Sequence, residues 1–416
     1  MPPRPTTAAR AVAMLAAGAI VAAACNGTDG ALPPTSTLAT TTSTLPPRAD
    51  DGTLKIGVLL PATGPGETLG TPMRVAIEAG IAQINAEGGV LGRDVEYVVA
   101  DESTADGMQD LLDEGVDAIV GPASSLVALS QLETAVPRTN GVVVCSPTAT
   151  ALALDAFIDN GYFFRTIPSD SFQMQAIVRQ AERTGESTVS VAYLDDPYGR
   201  GLAGAVTDTL TERGVLSILN EVPFSGDLED FSEPAALATA DSPGVLIVLA
   251  DAAAGGRFLT AVDENVGDNT APQILLNDAI RTARQAIARL SDNVRTNLTG
   301  VAPSAATTLE DGPEGAFAGQ ALDCLNVIAL AAQQSGSDAP SVFRRQIPAV
   351  TLNGQLCETF AECNELLDED LDIDYTGASG NLELSGTSGD RVRAVFDLFR
   401  FEPDGTERDP DQLSLP

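Results

Sequence analysis

The chain has 416 residues, with 23 Lys and Arg against 58 Asp and Glu, no His, no Trp and five Cys, for a formal net charge of −35. Without imidazole there is no Ser-His-Asp or Cys-His nucleophile, no His-ligated zinc and no imidazole general base. With Lys55 as the sole lysine there is no basic stripe for a phosphate backbone, so nucleic acid is not expected as a partner. The length predicts two or three domains around a sizeable core, and 44% hydrophobic with 19% charged residues is a globular α/β composition.

Residues 1–24 read as a signal peptide. Arg4 and Arg10 precede the uncharged stretch Ala11 to Ala24, which is shorter than the roughly 20 apolar residues that span a bilayer. Its end, Val21-Ala22-Ala23-Ala24-Cys25, resembles a bacterial lipobox, with Ala22 where Leu is commoner. That resemblance implies lipidation of Cys25 as the first mature residue, plain secretion being the other outcome; either way the mature chain works outside the cytoplasm. Residues 25–51 are rich in Thr, Ser and Pro without apolar periodicity, a flexible tether. The triplets Asn26-Gly27-Thr28 and Asn297-Leu298-Thr299 match a glycosylation pattern and are read as chance.

From Thr53 strands and helices alternate. An apolar strand over 53–60 leads through Pro61-Ala62-Thr63-Gly64-Pro65-Gly66 into a helix whose Met73, Ala76, Ile77, Gly80, Ile81 and Ile84 form one stripe, ended by Gly88-Gly89. Strands follow near 94–100, 117–121 and 141–145, with helices near 104–114, 125–136 and 150–157, then a strand-like Tyr162-Phe163-Phe164-Arg165. The pattern restarts with strands at 188–194, 215–222, 244–250 and 273–276 and helices at 199–213, 230–239 and 254–265. Such alternation predicts parallel sheets covered on both faces, in two Rossmann-like lobes. Cys357 and Cys363 stand close in a loop-to-helix region and are expected to form a local disulfide. Cys145 and Cys324 remain open between buried thiols and a second bridge.

In open α/β sheets ligands bind beyond the carboxyl ends of the strands. Two of those loops, Gly121-Pro122-Ala123-Ser124-Ser125 and Ser146-Pro147-Thr148-Ala149-Thr150, open helices with hydroxyls beside free backbone N–H groups, a receptor for a carboxylate or phosphate. From the residues alone Ser125 and Thr150 read as plain helix caps, the receptor being the other reading. The other loops are Asp195-Asp196-Pro197-Tyr198-Gly199 and Asn277-Asp278; Asp278 fits either a ligand ammonium or a helix cap.

The stretch Lys55-Ile56-Gly57-Val58-Leu59-Leu60-Pro61-Ala62-Thr63-Gly64-Pro65, the run Ile84 to Arg93, Val99-Ala100-Asp101, the two hydroxyl loops and Asp196-Pro197-Tyr198-Gly199-Arg200-Gly201 together resemble the branched-chain amino acid (Leu/Ile/Val) binding proteins of ABC importers. The resemblance runs from about Thr53 to Phe401. It implies a type I periplasmic-binding fold with three crossover strands, passing near Arg165, Gly300 and Tyr375, so that residues 52–165 plus 301–375 make one lobe and 166–300 plus 376–416 the other. It further implies α-carboxylate contacts at Ser125, the Thr148 backbone and Thr150, an acidic partner for the ammonium at Asp278, and pocket walls from Phe317 and Tyr198. The family's partners follow: a small amino acid-like ligand, an importer permease, the membrane through a lipid anchor only, and a monomeric chain that performs no chemistry and needs no cofactor. The chain departs from the family at Leu69, near Ala252 and at Leu322, where aromatic residues are frequent, which points to a different side-chain pocket.

Other readings carry less. Asp368 to Asp374 lacks the Gly and Glu of a calcium loop and reads as a solvated acidic face, and Gly64-Pro65-Gly66 is a poor dinucleotide fingerprint. An enzyme on this fold lacks both His and a Gly-x-Ser-x-Gly elbow. The alternative from another class is a surface receptor that senses amides or other small carboxylates with the same closing fold and without transport.

Overall fold

The computed structural model describes Arg48 and residues 50–136, 141–304, 312–408 and 410–416. The expected signal peptide, the lipidation site Cys25 and the Thr/Pro-rich stretch up to Pro47 lie outside the described residues. The end of the expected tether is held in place: the amides of Asp51, Gly52 and Thr53 all donate to Oδ2 of buried Asp338, at 3.2, 3.1 and 3.1 Å.

The first lobe begins with β1 (Lys55–Leu60), α1 (Glu67–Ala86), β2 (Glu96–Asp101), α2 (Gly107–Asp113), β3 (Ala118–Val120), α3 (Ser125–Ala135), β4 (Val143–Ser146), α4 (Leu152–Asp155) and β5 (Phe163–Arg165). Its sheet has the order β2-β1-β3-β4-β5, parallel throughout. The α1 stripe Met73, Ile77, Ile81 and Ile84 is buried against it, as helical spacing requires.

The chain then enters the second lobe through α5 (Asp170–Arg183), a helix that apolar periodicity did not reveal, followed by β6 (Thr188–Leu194), α6 (Pro197–Arg213), β7 (Ser217–Phe224), α7 (Ser232–Thr239), β8 (Val245–Leu249), α8 (Ala252–Val266) and β9 (Gln273–Leu276). A 3-10 helix at Asp278–Ala283, α9 (Arg284–Ala288) and α10 (Asp292–Arg295) precede β10 (Leu298–Pro303). The chain returns to the first lobe with α11 (Ala318–Ser335), α12 (Pro340–Phe343), β11 (Gln355–Cys357), α13 (Phe360–Asp368), β12 (Ile373–Gly377) and β13 (Gly380–Asn381), and ends in the second with β14 (Ala394–Phe399) and β15 (Asp411–Leu415). The second sheet, ordered β15-β14-β10-β9-β8-β6-β7, is mixed, not wholly parallel: β14 runs antiparallel to β10 and β15.

Each lobe has its own core. Along β8, Leu246 and Val248 face one apolar cluster while Val245, Ile247 and Leu249 face the other, so the strand is buried on both sides. The first core takes Leu54 to Phe164 and then Ala321 to Leu384. Leu382 and Leu384 pack there and Ala394 packs in the second lobe, so the third passage falls between Leu384 and Ala394, later than the expected Tyr375.

Two disulfides lie in the first lobe. Cys357 joins Cys363, and Cys145 on β4 joins Cys324 on α11 across 179 residues of sequence. The three passages are tied together. Thr166 Oγ1 donates to the Gln320 carbonyl (2.8 Å), and Gln320 Nε2 donates to the Ser304 carbonyl (2.8 Å). Arg165, with no exposed side-chain surface, donates to Asp390 and Asp155, each at 2.6 Å. Burial opposes its charge, but the two carboxylates outweigh burial and keep it a cation.

Candidate functional site

The loops that leave β3 and β4 are built to touch. Gly121 exits β3 at φ 117°, and a Cβ there would stand 1.9 Å from the Leu59 carbonyl oxygen, so only glycine passes so close to β1. Glu102, 7% exposed at the end of β2, accepts the Ala123 amide at 2.6 Å and the Ser124 amide at 3.2 Å, fixing the loop from below. Burial raises its pKa against those two hydrogen bonds.

Ser124, not Ser125, caps α3, its Oγ accepting the Val127 amide. That frees Ser125, whose Oγ accepts the amides of Thr150 (3.1 Å) and Ala151 (3.2 Å) and so joins the two hydroxyl loops. Thr148 Oγ1 donates to the Ala123 carbonyl at 2.8 Å, a second stitch between the same loops. Nor is Thr150 a helix cap. Its carbonyl accepts the Asp170 amide at 2.8 Å and its side chain bonds the Asp170 carboxyl.

Asp170, 2% exposed, is the turning point from one lobe to the other. Its carboxyl pKa is pushed up to about 7, by burial first and the charge of Asp278 second, with Thr150 and Arg165 pulling the other way. Asp278 is raised too, again by burial first, against a hydrogen bond from Gln173 and one from the Ala279 amide. Its Oδ1 is buried and has no hydrogen-bond partner among the described residues. Tyr198 brings its hydroxyl to the same place, where it accepts from Asn277 Nδ2 at 3.3 Å. Burial of that hydroxyl, then the carboxylates of Asp278 and Asp170, hold it well above its ordinary pKa and keep it neutral, although the residue is 36% exposed.

A chain of contacts thus links Ser125 and Thr150 in the first lobe, through Asp170, to Asp278 and Tyr198 in the second, with Thr148 two positions before Thr150. Phe317 is not joined to them by any described contact; it precedes α11 at φ 58° and packs on the first core. Sequence reading missed Asp170 and Gln173. The available signal was an acid placed directly after the first passage, followed a turn later by an amide. Of the positions where aromatic residues were expected, Leu69 packs on the first core and Leu322 lines a groove of about 580 Å³ between α1, α11 and α13, away from this cluster.

The charges make the cluster selective. Two carboxyls share a buried space, while the nearby cations are occupied elsewhere: Arg165 with Asp155 and Asp390, Arg281 with Glu407 at 2.6 Å. A positive group entering beside Asp278 Oδ1 relieves that repulsion and pairs an idle acceptor. In the first lobe, the Ser125 hydroxyl and the start of α3 offer donors suited to a negative group.

A family model described as periplasmic binding protein matches residues 53–318. The substrate-binding protein BasB of a chemotactic signal transduction system in Halobacterium salinarum is 30% identical over 354 residues, covering 79% of this chain and 83% of the relative. A leucine-, isoleucine-, valine-, threonine-, and alanine-binding protein of Pseudomonas aeruginosa is 32% identical over 189 residues, 43% of this chain and 49% of the relative, so that match spans about half of the relative's length. Among solved structures, the branched-chain amino acid transporter substrate binding protein LivJ from Streptococcus pneumoniae, in complex with isoleucine, has a TM-score of 0.61 at 19% identity, covering 87% of this chain and all of that chain. At that identity the likeness is one of fold.

Proposed function

The chain belongs to the periplasmic binding proteins and has their type I fold, and from that premise we propose that it captures a small amino acid-like ligand, branched-chain or related, in the cleft between its lobes and hands it to the permease of an ABC importer. The family places the chain outside the cytoplasm; lipidation of Cys25 as its membrane anchor, and a monomeric state, are part of the proposal.

One observation carries the reading: Ser125 and Thr150 of the first lobe meet Asp278 and Tyr198 of the second through Asp170, which bonds Thr150 and shares its space with Asp278. A zwitterion leaving water needs both charges compensated. The hydroxyls of Ser125 and Thr150 and the Thr148 backbone would take the carboxylate, Asp278 with Asp170 the ammonium, and Tyr198 would close over it; Phe317 is proposed only as an outer wall. Lobe closure about the three passages then presents a shape for the permease. Binding proceeds without turnover, so mass spectrometry should return the ligand unaltered.

Thermal unfolding of the mature chain with millimolar amino acids, amides and small carboxylates tests this. A ligand at about 1,000 times its Kd adds on the order of 4 kcal/mol, a shift of several degrees. A shift with aliphatic L-amino acids supports the proposal; a shift only with compounds lacking an ammonium removes the role of Asp278. The extent of the match to BasB favours a second reading, in which the ligand-loaded form reports to a sensor and not to a permease. Co-purification of the loaded protein with a permease or with a transducer separates the two.

A further inference from the structure

Arg391 sits where the three passages between the lobes come together. It is 5% exposed, its Nη1 donates to the Thr166 carbonyl at 3.0 Å and to Ser379 Oγ at 3.4 Å, and its Nη2 donates to the Asn381 carbonyl. All of these acceptors are neutral. Its Nε is buried without a partner among the described residues, and among the described ion pairs none involves Arg391. Burial lowers its pKa to about 10, with the carboxylate of Asp323 acting in the other direction. A buried guanidinium with so little compensation is costly, most of all in a chain that holds 58 acidic residues to 23 basic ones and could easily have supplied a carboxylate.

The charge adjoins a cavity of about 480 Å³. Its lining draws on the second and third passages and the last strand: Ser304 after β10, Ser379 ahead of the third passage, Arg391 and Arg393 on it, and Gln412 and Ser414 on β15. Among the described residues that line it, none is Asp or Glu. Arg393, 60% exposed at its side chain, pairs with Glu383 and adds a second cation at the mouth. Hydroxyls and amides with two guanidinium groups, Arg391 without an ion pair among the described residues, and no acid in the described lining are the chemistry of an oxyanion receptor.

We propose that this cavity, on the hinge and separate from the cleft cluster, is a binding site for a small oxyanion, a carboxylate or a phosphate, held by Arg391 and Arg393 with the hydroxyls of Ser379 and Ser414. An anion there bridges the second and third passages and stabilises the lobe arrangement described above. The site does not depend on the cleft binding an amino acid.

Thermal unfolding of the intact mature protein, titrated with sodium phosphate or with sodium acetate against sodium chloride at constant ionic strength, tests it. The expected result is a saturable rise in Tm, roughly 2 °C at ten times the Kd, in one or both series; phosphate alone points to phosphate-bearing ligands, acetate to carboxylates. Ser414→Glu, on an exposed strand position, should abolish the rise while leaving the unliganded Tm nearly unchanged, and Thr150→Ala in the cleft should preserve it. Arg391→Gln should abolish it too, and Ser414→Glu remains decisive if that variant does not fold. No rise beyond chloride, or a rise that survives in Ser414→Glu, overturns the proposal.

Discussion

A carboxyl group that is 2% exposed and faces a second carboxyl is more easily held protonated than charged, which is why Asp170 is pushed up to about 7. An unfolded Asp titrates near about 3.9. Across roughly pH 4 to 7 the folded chain therefore keeps a proton that the unfolded chain releases, and the stability from this group falls as pH rises through that window. Asp117, buried and close to the charge of Asp338, is likewise pushed up to about 7 and acts in the same sense. Asp170→Asn should flatten the fall in Tm between pH 5.5 and 7.5, Asp117→Asn should flatten it separately, and a melting curve with the wild-type pH slope in Asp170→Asn would contradict the account. Of the residues in the cluster, Ser125, Thr150 and Asp278 were legible because they follow strand ends in a recognisable pattern. Asp170 and Gln173 were not, since they open a helix that the pattern did not expose.

That helix, α5, shows why some elements are read easily and others are not. Its buried face includes Asp170 and Gln173 beside Met174, Ile177 and Val178, so the apolar stripe is broken where the helix meets the cleft. Strands β1, β3, β4, β6 and β8 were visible as short apolar runs because both of their faces are covered. The antiparallel β14 and β15 were not, because alternation of strand and helix says nothing about a pair that follows without a helix. Glu102 belongs to this scale as well, since its side chain holds the loop between β3 and α3. Glu102→Ala leaves the amides of Ala123 and Ser124 without their acceptor and should cost about 1–3 kcal/mol, read as a lower urea midpoint at unchanged m-value. An unaltered midpoint would mean that the loop is held by other contacts.

At the scale of the whole molecule, the chain leaves the first lobe after β5 and returns at α11, so the bond between Cys145 and Cys324 closes a loop of 179 residues that contains most of the second lobe. Sequence spacing could not pair these two, since only the folded lobe brings β4 against α11. In the chain-entropy picture such a link restrains the unfolded state by about 5 kcal/mol at most. A Cys145→Ala/Cys324→Ala double variant should melt several degrees lower, and an equal Tm would show that the link carries no stability. The two-lobed plan itself was legible from the number of strand-helix units; the position of the third passage was not, because Leu382 and Leu384 fold back onto the first core beyond the expected boundary.

The most direct test of the central claim is calorimetric titration of the wild type, Thr150→Ala and Asp278→Asn with whichever amino acid raises the melting temperature. The proposed clamp predicts that each variant, folded as the parent, binds about 10 to 100 times more weakly, the loss expected for a hydrogen bond to a charged group at about 1.5–3 kcal/mol. Wild-type affinity in both variants would contradict it.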